Sequence, residues 1–166
     1  MHRLKLTAAT VAALFFYALP GYAQNSDMAT IADKNGCKVY NPMPQEQEAI
    51  KWDGECREGF ANGTGVLDWY IGEQLEERYE GELKMGWADG EGTYVSRGGA
   101  RYKGEWKNSL QHGKGTIQNP DGSVYQGEWS EGKPHGYGVY RAPNGETVEG
   151  EWVDGELKAE SGSRRI

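Results

Sequence analysis

Long aliphatic runs are missing from most of this 166-residue chain, and phenylalanine occurs only three times. Beyond residue 20 leucine, isoleucine and valine are scarce, so a conventional core of packed aliphatic side chains is not expected. The chain instead has 25 glycines, ten tyrosines and six tryptophans, which places large rings beside bare backbone. At this length one domain of ordinary size is expected.

Basic residues are also in short supply, with 18 lysines and arginines against 25 acidic side chains and a net charge of −7. Phosphate-rich partners need clustered Lys and Arg. The composition therefore excludes nucleic acid as a partner and disfavours an anionic membrane surface.

Cysteine occurs twice, at Cys37 and Cys56, without a CxxC pair or the histidines that would complete a zinc site. An even cysteine count in an exported chain indicates one disulfide. No Ser/His/Asp or Cys/His arrangement stands out either. The chain is therefore predicted to be no enzyme and to need no metal or cofactor.

The one long apolar stretch, residues 6–19, follows a basic start and ends at Pro20. Small residues at Gly21 and Ala23 predict cleavage after Ala23, which makes residues 1–23 a signal peptide and the protein periplasmic or secreted. The stretch is short for a membrane span. An uncleaved anchor is the alternative.

A repeat dominates the rest of the chain. Five segments of the form x-x-Gly-Glu-x begin at residues 52, 79, 102, 125 and 148, the first four of them with a ring. A Gly-x-Gly follows eleven residues after each of these four starts. In Tyr102, Gly104 and Trp106 the spacing of two is that of a strand, so the three share a face. Turn dipeptides at residues 98–99, 121–122 and 144–145 predict two-residue hairpin turns.

Glycine weakens a strand unless something covers its backbone. A Tyr or Trp on the neighbouring strand supplies that cover, which explains why rings and glycines recur together.

The repeated Tyr-x-Gly-x-Trp and Gly-x-Gly units resemble the MORN repeat family over residues 50–158. The resemblance implies an all-β fold, an elongated single-layer antiparallel β-hairpin array, used for protein binding and scaffolding, with membrane-lipid association in some members. The units depart from the pattern at Leu83, Ser109 and Val148, and the first carries four extra residues between 69 and 78.

These observations divide the chain into a signal peptide, an N-terminal cap at residues 24–50, repeats at 51–158 and a C-terminal tail at 159–166. Cys56 takes the position that a tryptophan holds in later units, and Cys37 is its only partner in the chain. A Cys37–Cys56 bond would pin the cap to the first hairpin, where an open array leaves an unpaired edge.

The candidate binding surface is the set of recurring rings. We predict a non-catalytic protein-binding or scaffolding module of the cell envelope or secreted space, with cell-wall polysaccharide or membrane lipid as alternative ligands. Whether the ring face is open or covered is not readable from the sequence. The rings are Tyr102, Trp106, Tyr125, Trp129, Tyr140 and Trp152.

Three other features could indicate a metal, catalytic or phosphate-binding site but have simpler interpretations. His112 and His135 occupy a repeat position that accepts Asn62 and Asp89 elsewhere, so they are expected to be turn residues rather than metal ligands. The glutamates of the repeat form a row at about 9.5 Å spacing, which favours a solvated face over a catalytic pair. Residues 113–116 lack the spacing of a phosphate-binding loop.

Overall fold

The computed structural model describes residues 29–164, and all of its regular elements are β-strands. The predicted signal peptide lies outside the described residues. The strands are β1 (Thr30–Ala32), β2 (Lys38–Tyr40), β3 (Glu48–Trp52), β4 (Glu55–Arg57), β5 (Phe60–Ile71), β6 (Gln74–Lys84), β7 (Trp87–Ser96), β8 (Arg101–Lys107), β9 (Leu110–Gln118), β10 (Val124–Ser130), β11 (Lys133–Arg141), β12 (Thr147–Val153) and β13 (Glu156–Arg164).

From β5 onward the chain is a meander in which each strand pairs antiparallel with the next, up to β13. All thirteen strands belong to one open sheet. The predicted all-β array of hairpins is confirmed. The last strand continues to Arg164, so residues 159–164, which we predicted to be a tail, extend a strand that pairs along the whole of β12.

The turns after β7, β9 and β11 correct the predicted turn type. Only the second residue of each dipeptide has positive φ, at Gly99, Gly122 and Gly145. Gly99 N–H donates to the Ser96 carbonyl, and Ser96 N–H donates to the Ala100 carbonyl. That pattern is a three-residue loop with a left-handed glycine at its end, since a two-residue type I′ turn needs positive φ at both positions.

The type I′ turns lie instead at the opposite ends of the hairpins. Both central residues have positive φ in the pairs Glu58–Gly59, Met85–Gly86, Asn108–Ser109, Glu131–Gly132 and Asp154–Gly155. Ser109 adopts a φ of 62°, and its hydroxyl accepts a hydrogen bond from Ala88 N–H at 2.9 Å. This bond explains how a serine replaces the turn glycine.

The core is one face of the sheet. Cross-strand partners share a face, and the partners Tyr79, Tyr94, Tyr102, Ile117 and Tyr125 form a continuous buried row from β6 to β10. The glycines of the repeat lie beside this row. A Cβ on Gly92 or Gly115 would lie about 2.5 Å or less from the ring of Tyr79 or Tyr102. The predicted covering of glycine backbone by rings is therefore confirmed.

Three hairpins contain a bulge at the first glycine of Gly-x-Gly. Between β8 and β9 the register runs from Gly104 opposite Gly115 directly to Glu105 opposite His112. Gly113 has a φ of 55° there. The bulge adds residues to β9, and similar register shifts occur between β6 and β7 and between β10 and β11.

The N-terminal segment packs against the first hairpins. β1 and β2 form a small hairpin, β2 contacts β5 through Lys38 opposite Phe60, and Cys37 is bonded to Cys56 with their Cα atoms 5.6 Å apart. β3 pairs with β5 over five residues and crosses the boundary predicted at residue 50. The four extra residues of the first unit lengthen β5 and β6, which gives β3 its partner.

Candidate interaction surface

The rings that we predicted as a binding surface are mostly core. Tyr102, Trp106, Tyr125, Trp129 and Trp152 are each exposed by 6 % or less, and only Tyr140 is half-buried. Because a partner cannot reach five of the six rings, this part of the prediction is wrong. The polysaccharide alternative, which used the same face, loses its surface as well.

The rings bury one another, which explains how a single-layer sheet has a buried face. Tyr102 lies edge-on between Trp106 and Trp129, with ring centroids 4.9 and 5.1 Å apart, and Tyr125 lies in the same way between Trp129 and Trp152. Such edge-to-face pairs add about 0.5–1.5 kcal/mol each to area burial. The alternation of Tyr and Trp therefore links each unit to the next from the second unit to the fifth.

The polar atoms of these rings are satisfied by backbone. The hydroxyls of Tyr79, Tyr102 and Tyr125 each donate to a glutamate carbonyl three residues on, at 3.0 Å. Trp106 and Trp152 donate to the carbonyls of Gly92 and Gly138 at 3.1 Å. Burial raises the pKa of the three tyrosines well above its ordinary value, because a phenolate would lose its water.

The glutamate row has a structural role beyond that of a solvated face. Glu105 accepts a hydrogen bond from Lys114 N–H at 2.8 Å, and Glu128 accepts one from Tyr137 N–H at 3.3 Å. Both donors lie in the bulges after Gly113 and Gly136. The carboxylates therefore satisfy backbone groups that the shifted register leaves without a strand partner.

His135 lies near the start of β11, where it faces the turn of the next unit. Its Nδ1 is 4.0 Å from a carboxylate oxygen of Asp154. The equivalent Asp89 forms an ion pair with Lys107, and the equivalent Asn62 accepts a hydrogen bond from Met85 N–H. The position links neighbouring units. Within residues 29–164 no group of three or more His, Cys, Asp or Glu side chains could hold a metal ion.

The face opposite the rings is polar. On this face Arg78 donates two hydrogen bonds to the Asp68 carboxylate, at 2.6 and 2.8 Å. The nearby carboxylate raises the pKa of the Arg78 guanidinium.

Large apolar side chains that are only partly buried flank the type I′ turns, which we call the turn ridge, whereas the exposed large apolar residues, Met43 and Tyr137, lie elsewhere. The two residues that flank each turn are cross-strand partners, so their side chains project together. In the first three turns a basic residue is paired with a large apolar one. The pairs are Arg57 with Phe60, Lys84 with Trp87, and Lys107 with Leu110.

The cap already uses part of this ridge. The Tyr40 ring stacks between Phe60 and Trp87, with centroids 5.6 and 4.2 Å away and planes within 18° of parallel. The Lys38 ammonium lies 5.9 Å from the centre of the Phe60 ring. Sequence reasoning missed this stack. The only sequence signal was the recurrence of basic and apolar residues on the two sides of each turn.

An open sheet of stacked hairpins, with rings on one face and repeated turns along an edge, defines a β-hairpin repeat protein. The sequence model of the MORN repeat matches four consecutive units, at residues 52–74, 79–101, 102–124 and 125–147. The protein belongs to the MORN repeat family, as the resemblance implied. MORN repeats are typically non-catalytic modules that bind proteins or membranes. No curated protein matches the chain significantly.

Among the residues that the structure describes, no helix is long and apolar enough to cross a membrane.

Proposed function

We propose that this chain is an exported, non-catalytic protein-binding module, and that the partner docks on the turn ridge. The observation that carries the proposal is the Tyr40–Trp87 stack, because it shows an extended segment bound there through rings and backbone. Trp87 and Leu110 are only half-buried. On a chain with a net charge of −7, the lysines beside them form a local basic region suited to an acidic partner.

Export is supported by the disulfide between Cys37 and Cys56, since such bonds persist in oxidising compartments. Cleavage after Ala23 would give a mature chain that begins at Gln24. The mass of the protein purified from its source tests this. A chain that retains residues 1–23 would contradict the predicted cleavage.

Affinity capture from an envelope extract tests the binding role. Protein partners should be retained by the wild-type chain and lost by Leu110→Asp. Lys103→Glu, a charge change on the exposed polar face, is the matched control and should retain them. Capture of glycan or lipid in place of protein, or equal retention by all three chains, would contradict the proposed role.

A further inference from the structure

Strand β2 is a built-in example of how the turn ridge binds an extended segment. It lies across the turns, with Lys38 N–H donating to the Gly59 carbonyl at 2.9 Å and Tyr40 N–H donating to the Gly86 carbonyl at 3.3 Å. Each acceptor is the second residue of a type I′ turn. The side chain of Tyr40, the second of these donors, enters the space between two neighbouring units.

The same turn geometry continues beyond Gly86. Gly86, Ser109 and Gly132 each donate their N–H to a carbonyl at the start of the preceding unit's second strand, at 2.8, 2.8 and 3.0 Å. The turns therefore stack in one repeated arrangement. In the region from residue 29 to 164, however, nothing donates a hydrogen bond to the carbonyls of Ser109 and Gly132.

A second slot follows the one that Tyr40 fills. Equivalent residues of consecutive units are two strand spacings apart, about 9.5 Å, and the two centroid distances around Tyr40 show that such a gap holds one ring. Trp87 and Leu110 are equivalent in this way. Their gap has a tryptophan on one side and a leucine on the other.

The charged side chains beside this slot are two lysines and the acidic partner of one of them. Lys84 and Lys107 are the cross-strand partners of Trp87 and Leu110, and both are exposed. Lys107 lies 3.3 Å from Asp89, but an ion pair between exposed side chains contributes only about 0–1 kcal/mol. A carboxylate of a bound peptide can therefore form an ion pair with either ammonium group.

We propose that the slot between Trp87 and Leu110 binds an aromatic side chain of an extended acidic peptide segment in a partner protein, with the peptide N–H bonded to the Ser109 carbonyl. This rests on the proposed protein-binding function and names the ligand class. Backbone recognition supplies affinity and the slot supplies selection, as in other modes of strand addition. Carboxylates on either side of the ring pair with Lys84 and Lys107.

A synthetic peptide with one central tyrosine, flanked on each side by threonine and then glutamate, tests the slot directly. Fluorescence anisotropy should show that tyrosine-to-alanine exchange and N-methylation of the tyrosine each weaken binding by about tenfold. Leu110→Asp and Lys107→Glu should weaken it similarly. Lys103→Glu should leave it unchanged, and circular dichroism confirms that each variant is folded.

Equal affinity of the tyrosine and alanine peptides, or of wild type and Leu110→Asp, would overturn the proposal. If no peptide binds but the capture experiment still distinguishes Leu110→Asp from wild type, the ligand class is wrong and the binding function stands. If sedimentation shows dimers that Leu110→Asp abolishes and the peptide does not bind, the occupant is a second copy of the chain and the proposal fails.

Discussion

The two positions of each Gly-x-Gly require glycine for different physical reasons. The first has a left-handed backbone and lies against a glutamate, so that a Cβ on Gly113 would meet the carboxylate of Glu105. The second lies under a ring, where a Cβ on Gly115 would meet the Tyr102 ring. The two glycines, which are two residues apart, thus mark a bulge and a ring contact respectively.

Gly115→Ala should destabilise the protein by about 1–3 kcal/mol, because the added methyl overpacks a buried ring and neither strand can move freely. Gly98→Ala is the matched control. Its φ is not in the left-handed range, and the nearest atom to an added Cβ is 3.8 Å away. Urea unfolding of both variants measures the difference. A Gly115→Ala midpoint equal to that of Gly98→Ala would refute the close ring contact.

At the scale of the element, the turns set the geometry of both hairpin ends. Ser109 combines two opposing effects, because its φ of 62° is strained for a residue with a side chain while its hydroxyl bonds Ala88 N–H. A left-handed residue other than glycine costs roughly 1–2 kcal/mol. A hydrogen bond contributes about 0.5–1.5 kcal/mol. The two effects nearly balance.

Ser109→Gly should therefore leave stability nearly unchanged, since the lost bond is offset by the relieved strain. Ser109→Ala loses the bond and keeps the strain, so we expect it to be less stable than Ser109→Gly by about 1–2 kcal/mol. Thermal unfolding of both variants at one pH measures this. Equal melting temperatures would show that the serine backbone carries no strain.

The sequence predicted the hairpins but assigned the type I′ turns to the wrong ends. Dipeptides such as Asp121–Gly122 are typical of type I′ turns, yet here the loop contains one more residue and only the glycine is left-handed. The actual type I′ turns include Met85 and Glu131, residues without a turn preference. Tertiary contact between stacked turns, through bonds such as Gly132 N–H to the Gln111 carbonyl, overrides local preference there.

The disulfide should stabilise the cap and the first hairpin. A crosslink over 19 residues is worth about 3 kcal/mol in the chain-entropy account. The double variant Cys37→Ser with Cys56→Ser should lose about that much stability and self-associate, since release of Tyr40 exposes Phe60 and Trp87. The double variant leaves no thiol for crosslinking between chains. Unchanged sedimentation and unfolding would mean that the cap holds without the bond.

At the scale of the whole molecule, the sequence predicted the repeat, its register and the family, because each unit keeps its rings and glycines at fixed spacing. It could not show that the rings are covered. Tyr125 is buried by Trp129 of its own unit and Trp152 of the next. The two-residue spacing along a strand shows which side chains share a face, but not how closely the rings of different units approach. The turn ridge was missed because Lys84 and Trp87 become partners only once the turn between them is known.

The buried ring row also makes the stability of the whole sheet depend on pH in the alkaline range. Burial raises the pKa of Tyr79, Tyr94, Tyr102 and Tyr125 in the folded chain. In the unfolded chain these phenols have a pKa of about 10. Below that pH both states hold the protons and stability is unaffected. Above it the unfolded state releases protons first, so stability falls as pH rises.

We therefore expect the protein to unfold cooperatively at a pH above about 10, with the buried tyrosines ionising together with the loss of the sheet. Absorbance of tyrosinate and circular dichroism, recorded on one sample as pH is raised, should show coincident transitions. In concentrated urea the same tyrosines should titrate near pH 10 without a cooperative step. Ionisation of all tyrosines near pH 10 with the sheet intact would contradict the buried hydroxyls, because a phenolate cannot replace the bonds that Tyr79, Tyr102 and Tyr125 donate to backbone carbonyls.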